Sequence, residues 1–169
     1  MQPRPSRRWP ARCSPEPLDW PGPRARQNFQ PVTAAPTPPP PPEPATAFDW
    51  IGGEARVREL VDRFYDLMEL EPGYARLRAA HGDTLASARD RLFWFLCGWL
   101  GGPDHYISRF GHPRLRARHL PFRIGIAERD EWLACMGQAM QEVGVDPALR
   151  DRLAESFAGT ADWMRNVGR

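Results

Sequence analysis

The sequence predicts an all-α domain of about 120 residues behind a proline-rich N-terminal extension. Three observations carry this reading. Fifteen of the 20 prolines precede residue 48 and culminate in the run Pro38 to Pro42. From Phe48 onward, apolar residues recur at helical spacing in four long stretches. No stretch alternates apolar and polar residues as a half-buried strand would.

Proline lacks an N–H donor and fixes φ, so residues 1–47 build neither helix nor sheet. They are expected to be disordered or in polyproline II, and residues 1–46 are expected to be dispensable for folding. The plain reading is a solvated tail; the functional one is a ligand for a proline-binding module. The formal charge is +2. Residues 1–47 carry six Arg against three acids, and residues 48–169 carry 17 Arg against 18 acids. A nearly neutral folded part gives no electrostatic footprint for nucleic acid. All 23 basic residues are Arg, which coding bias explains. Cys13, Cys97 and Cys135 lie far apart, without a CxxC, which fits a reducing cytoplasm better than a disulfide framework. No apolar run is long enough to span a membrane, and none follows the N-terminal charges as a secretory signal would.

The first helix shows Val57, Leu60, Val61, Phe64 and Met68 on one face, and Glu71-Pro72-Gly73 ends it. A short segment from Tyr74 to Ala80 allows one or two turns. Leu85, Ala88, Leu92, Phe95, Leu96 and Trp99 trace a second stripe. With Phe93, Trp94, Cys97 and Leu100 that segment becomes apolar almost all round, as a buried helix does. Gly101-Gly102-Pro103 breaks it. Pro103, Gly111, Pro113, Pro121 and Gly125 then exclude a long helix over 103–125, leaving one short turn between Pro113 and His119. A third long helix is expected from Glu128 to Glu131 onward, with Trp132, Met136, Ala139, Met140 and Val143 inward. The last opens with Asp146 as cap and Pro147 in its first turn, and buries Leu149, Leu153, Phe157, Ala161 and Met164.

A long irregular segment between two helix pairs signals function. This one holds three of the four His. His105, His112 and His119 recur every seven residues. Gly111 and Pro113 forbid the continuous helix that would align them, and the cysteines lie elsewhere, so zinc is set aside. His119 alone also reads as a surface His in a basic loop.

The elements Gly101-Gly102-Pro103, Gly111-His112-Pro113, Arg118-His119-Leu120-Pro121-Phe122 and Glu128-Arg129-Asp130-Glu131-Trp132-Leu133-Ala134-Cys135-Met136 are distinctive in order and spacing. Over about residues 48–165 the chain resembles the second group of truncated haemoglobins. The resemblance implies a truncated globin fold, a two-over-two helical sandwich, with haem b as cofactor. It implies His119 as the axial iron ligand, which physics supports, because haem iron takes a neutral imidazole aimed by a partner on its other nitrogen. It implies Trp132 and Tyr65 as distal hydrogen-bond donors. His81 matches the corner position where the family usually has Tyr, Phe or His, with Ala80, one position earlier, as the alternative. Ala88 and Leu92 fall where the distal helix faces the ligand, and Phe95 lies one turn further on. Phe122 follows the axial His in the same motif. Arg91, Arg116, Arg118 and Tyr106 are candidate partners for the haem propionates.

The function expected from the resemblance is reversible binding of dioxygen, nitric oxide or another diatomic, by a monomer or homodimer. Chemistry on the ligand, such as nitric oxide dioxygenation or peroxide turnover, would need an external reductase, because no GxGxxG or Walker motif is present. The alternative is a haem-free helical interaction module that uses the proline-rich arm.

Overall fold

The computed structural model describes residues 44–82 and 84–168. The expectation of disorder for residues 1–47 therefore lies outside the described residues up to position 43. The described residues are helical, with eight α-helices and no strand among them.

Helix α1 (Ala47–Ile51) begins one residue before the expected boundary, because Thr46 caps it by accepting from the Asp49 N–H. The Phe48 N–H donates to the Leu100 carbonyl, tying this segment to the end of the second stripe. The tie needs Gly101 and Gly102. Gly101 has φ +93°, and a Cβ on Gly102 would meet the Phe48 ring at 2.5 Å. Thr46 caps α1, so where a truncation begins tests the expected dispensability of residues 1–46. A chain starting at Pro44 is expected to melt with the full chain. A chain starting at Ala47 loses the cap, worth about 1 kcal/mol, and is expected to melt roughly 4 °C lower. Thermal unfolding of the three chains checks this.

Helix α2 (Gly53–Leu70) buries Val57, Leu60, Val61, Phe64, Tyr65, Leu67 and Met68. Each such aliphatic or aromatic burial contributes about 1.5–3 kcal/mol. A 3-10 turn at Pro72–Tyr74 and the short α3 (Ala75–Ala79) follow. Helix α4 (Ala86–Trp99) buries Phe93, Leu96 and Cys97, while Ala88, Leu92, Phe95 and Trp99 are only half-buried. The stripe read from the sequence therefore splits into a core face and a second apolar face.

Helix α7 (Ile126–Glu142) starts ahead of the acidic residues expected to open it. Glu128 reaches back to the Gly125 N–H at 2.8 Å, so it caps from inside the first turn. Helix α8 (Pro147–Met164) is capped as expected, the Asp146 carboxylate accepting from the Ala148 and Leu149 N–H groups. The pair α2 and α4 packs over the pair α7 and α8, mainly through α2 on α7. The core is one cluster running through all four.

The segment between the pairs is more ordered than the sequence suggested. It holds α5 (His105–Phe110) as well as the expected turn, α6 (Leu115–His119). Six residues are too few to reveal a period. What holds α5 is tertiary: the His105 ring meets the Glu54 carboxylate of α2, and Tyr106 is buried.

Candidate functional site

His119 is the last residue of α6 and is half-buried. Its Nδ1 lies 2.7 Å from the Leu115 carbonyl. A carbonyl only accepts, so Nδ1 carries the proton and Nε2 keeps its lone pair. Two devices aim this ring. Arg114, just before α6, adopts a left-handed φ of 43°, which turns the chain sharply out of His112-Pro113. A non-glycine residue pays of order 1 kcal/mol for that. Asn166 then clamps the far side: its side-chain amide donates to the His119 carbonyl at 3.2 Å and the Phe122 carbonyl at 2.7 Å, while its oxygen accepts from Ile124 N–H.

Opposite elements supply a second polar group. The Tyr65 ring is buried on α2, edge-on to Phe64 at 5.0 Å and to His81 at 6.0 Å. Phe64 leads to Trp132 of α7 at 5.5 Å, and Trp132 meets Phe157 of α8 at 5.4 Å. Tyr65 meets His81, and Trp132 reaches the same stretch of α2 through Phe64. His81 lies just past α3 and Ala80 caps that helix, so His81 is the residue beside Tyr65. Burial pushes the Tyr65 phenol well above its ordinary range, although Arg89 opposes this. It remains a neutral O–H donor throughout the working pH range. His81 is shifted down, first by burial and then by Arg78 and His119, against the pull of the Leu77 carbonyl. Its Nδ1 meets that carbonyl at 2.9 Å, so its Nε2 is also left as an acceptor.

Ala88 and Leu92 are half-buried on the second face of α4, and Phe95 follows at 6.3 Å from Tyr106. A cavity of about 400 Å³ opens between α4 and α6, lined chiefly by Phe95, Trp99, Pro113, Leu115, Ala117 and Trp163. A larger groove of about 620 Å³ lies between α2 and α7. Its walls are Arg58, Asp62, Arg63, Asp66 and Glu142, already engaged in ion pairs, and it carries no aromatic ring. The apolar cavity adjoins α6 through Leu115 and Ala117, and His119 is not in its lining.

The four residues expected at the carboxylate edge divide. Arg91 and Arg118 are exposed, with guanidinium carbons 5.6 Å over Phe110 and 5.8 Å over Tyr106. Tyr106 is buried beneath them. Arg116 is turned elsewhere: its Nη1 donates to the Trp163 carbonyl and, at 3.4 Å, to that of Arg165. Its guanidinium fastens the C-terminal segment to α6. Phe122 stands 48% exposed beside Leu120 at 57%. Sequence reasoning missed Asn166, the Leu115 and Leu77 carbonyls, and Arg89, which bridges Asp62 and Asp66 under Tyr65. The buried thiols take no part. Desolvation pushes Cys97 up to about 11 and Cys135 up to about 12, so both stay protonated.

Comparison with known proteins agrees with this arrangement. The family profile described as bacterial-like globin matches residues 46–166. The group 2 truncated haemoglobin of Bacillus subtilis is 39% identical over 114 residues, 68% of this chain and 84% of the relative. The group II 2-on-2 haemoglobin of Agrobacterium tumefaciens superposes with a TM-score of 0.71 at 42% identity, over 74% of this chain and 97% of that one. A truncated oxygen-avid haemoglobin from Bacillus subtilis superposes with a TM-score of 0.66 at 37% identity, over 72% and 99%. The chain belongs to the bacterial-like globins, and within them to the group II truncated haemoglobins. Haem is its cofactor, and ligand binding at haem is its general function. The donor set fits that group: an imidazole pinned through Nδ1 with its Nε2 lone pair left over, and cations on aromatic rings at one rim.

Proposed function

We propose that the chain holds haem b through His119 Nε2 and captures dioxygen, or another diatomic such as nitric oxide, beneath Tyr65, His81 and Trp132. The observation that carries this is the Leu115 carbonyl on His119 Nδ1, which fixes the tautomer an iron ligand needs. Haem supplies a ferrous iron that binds diatomics reversibly. The remaining work belongs to the chain. Ala88, Leu92 and Phe95 of α4, with Phe122, supply apolar walls. Arg91, Arg118 and Tyr106 pair with the propionates. Arg116, held by main-chain carbonyls, acts there through its charge alone. Tyr65 and Trp132 are the donors, and His81 Nε2 is an acceptor that competes for the single Tyr65 hydroxyl proton.

Two donors suit slow oxygen release, in keeping with the avidity named for the Bacillus subtilis relative. Slow release favours chemistry on the ligand, nitric oxide dioxygenation or peroxide turnover, over transport. Such turnover draws electrons from a separate reductase, and we place it in the cytoplasm. No helix among the described residues is long and apolar enough to cross a membrane. Absorption spectra of the purified chain, deoxygenated and then exposed to oxygen, test the reading. The expected result is a Soret band that shifts on oxygenation. Its absence would leave the haem-free helical module standing, and a band indifferent to oxygen would remove dioxygen as ligand.

A further inference from the structure

The arginines are distributed unevenly. Residues 105–127 hold five Arg and no acid, and Arg91 of α4 adds a sixth cation through its contact with Phe110 of the same segment. The rest of residues 48–169 is acidic by count, with 11 Arg against 18 acids. Three of the six cations rest on one aromatic cluster. Arg91 lies over Phe110, Arg109 over Trp94 at 4.6 Å, and Arg118 over Tyr106. Phe110 joins the three rings, at 5.7 Å from Trp94 and 5.1 Å from Tyr106. Among the described residues, Arg91, Arg109, Arg114, Arg118 and Arg123 form no ion pair. Arg58, Arg63 and Arg89, on the opposite side of α4 and along α2, are each paired with an acid. Two propionates neutralise two cations, and the face holds more than they need. Ile107 and Phe110 stand exposed on the same short helix, at 48% and 42%.

We propose that this basic, aromatic face docks an acidic single-electron carrier protein, which passes one electron to the haem at its carboxylate edge. The inference rests on the haem reading above and identifies the class of its electron donor. In the step the carrier loses one electron and ferric iron becomes ferrous; no covalent bond changes. A compact positive face on an otherwise acidic domain matches one acidic patch of a protein. It suits an extended polyanion less, because the acidic remainder repels the continuing chain.

The test is stopped-flow reduction of the full-length ferric holoprotein by flavodoxin hydroquinone, an acidic one-electron protein donor. Steering acts over a screening length of about 30 Å at 0.01 M salt and about 8 Å at 0.15 M. The bimolecular rate is therefore expected to be roughly tenfold faster at the lower salt. Arg109→Glu with Arg114→Glu is expected to abolish that gain. Arg150→Glu with Arg152→Glu makes the same charge change on α8 and is expected to stay within about twofold of wild type. If Arg109→Glu with Arg114→Glu loses its Soret band, Arg109→Glu alone replaces it, with the same direction expected. Equal slowing in both double variants, or a salt-independent rate, overturns the docking face while leaving the haem reading intact. Tight binding of a labelled DNA duplex at 0.15 M salt, lost in the Arg109 and Arg114 variant, reassigns the face to nucleic acid and overturns it too. A purified chain with no Soret band instead overturns the haem reading on which the step depends.

Discussion

Replacing His119 by glycine is expected to empty most of the protein of haem while leaving the apoprotein folded. The imidazole contributes little to the fold, since its one hydrogen bond within the described residues is to the Leu115 carbonyl at the half-exposed end of α6. Its loss leaves the core of α2, α4, α7 and α8 untouched. The iron, by contrast, loses its protein bond. Removing even an outer partner of a metal-ligating His costs about 10- to 100-fold in affinity. Removing the ligand itself is therefore expected to cost more than about 100-fold. Free imidazole should restore the spectrum, because the Arg114 turn and the Asn166 clamp still shape the space the ring occupied. The measurement is haem content and Soret position of His119→Gly, with and without imidazole, beside the apoprotein melting curve. Unchanged haem content would move the axial ligand elsewhere.

That prediction draws on two kinds of information, and only one was legible in the sequence. The stripe of Val57, Leu60, Val61, Phe64 and Met68 announced α2, and all five side chains are buried. The caps of α8 were legible because Asp146 and Pro147 do their work locally. Helix α4 was harder. Periodicity found its apolar residues but not that Leu96 is fully buried while Ala88, Leu92 and Phe95 pack at the core's half-buried margin, since both positions ask for the same residue types. The short α5 escaped because its anchor, Glu54, lies some fifty positions earlier in the chain. At the site, the motif singled out His119 and Trp132. What aims His119 and His81 was hidden. Every residue has a carbonyl, so nothing in the sequence marks those of Leu115 and Leu77. Nothing in a chain with 23 arginines distinguishes Arg89, which supports Tyr65, from Arg116, which fastens the C-terminus.

Replacing Trp132 by phenylalanine is expected to speed oxygen release by roughly 10- to 100-fold. Dioxygen draws negative charge onto its outer atom when a ferrous iron holds it, and a hydrogen bond to a charged acceptor contributes about 1.5–3 kcal/mol. Each 1.4 kcal/mol is about a tenfold change when it appears wholly in dissociation. Three groups compete for the role. His81 is the weakest, because the Leu77 carbonyl holds its only proton and leaves Nε2 an acceptor. Tyr65 keeps its proton at all working pH, but its hydroxyl rotates and has the His81 ring at 6.0 Å to attract it. The Trp132 indole has no such freedom. Phe64 and Phe157 hold its ring at 5.5 and 5.4 Å, so its single N–H keeps one direction. Ala88 on α4 offers no donor to replace it. Phenylalanine preserves most of the packing and removes the N–H. Carbon monoxide carries less charge on its outer atom, so its release should change little. Stopped-flow release of both gases from wild type, Trp132→Phe and Tyr65→Phe separates the possibilities. Oxygen release within about twofold of wild type in Trp132→Phe, with strong acceleration in Tyr65→Phe, would make the phenol the brake. Equal acceleration of both gases in Trp132→Phe would show a steric gate, because only a hydrogen bond discriminates between the two ligands by charge.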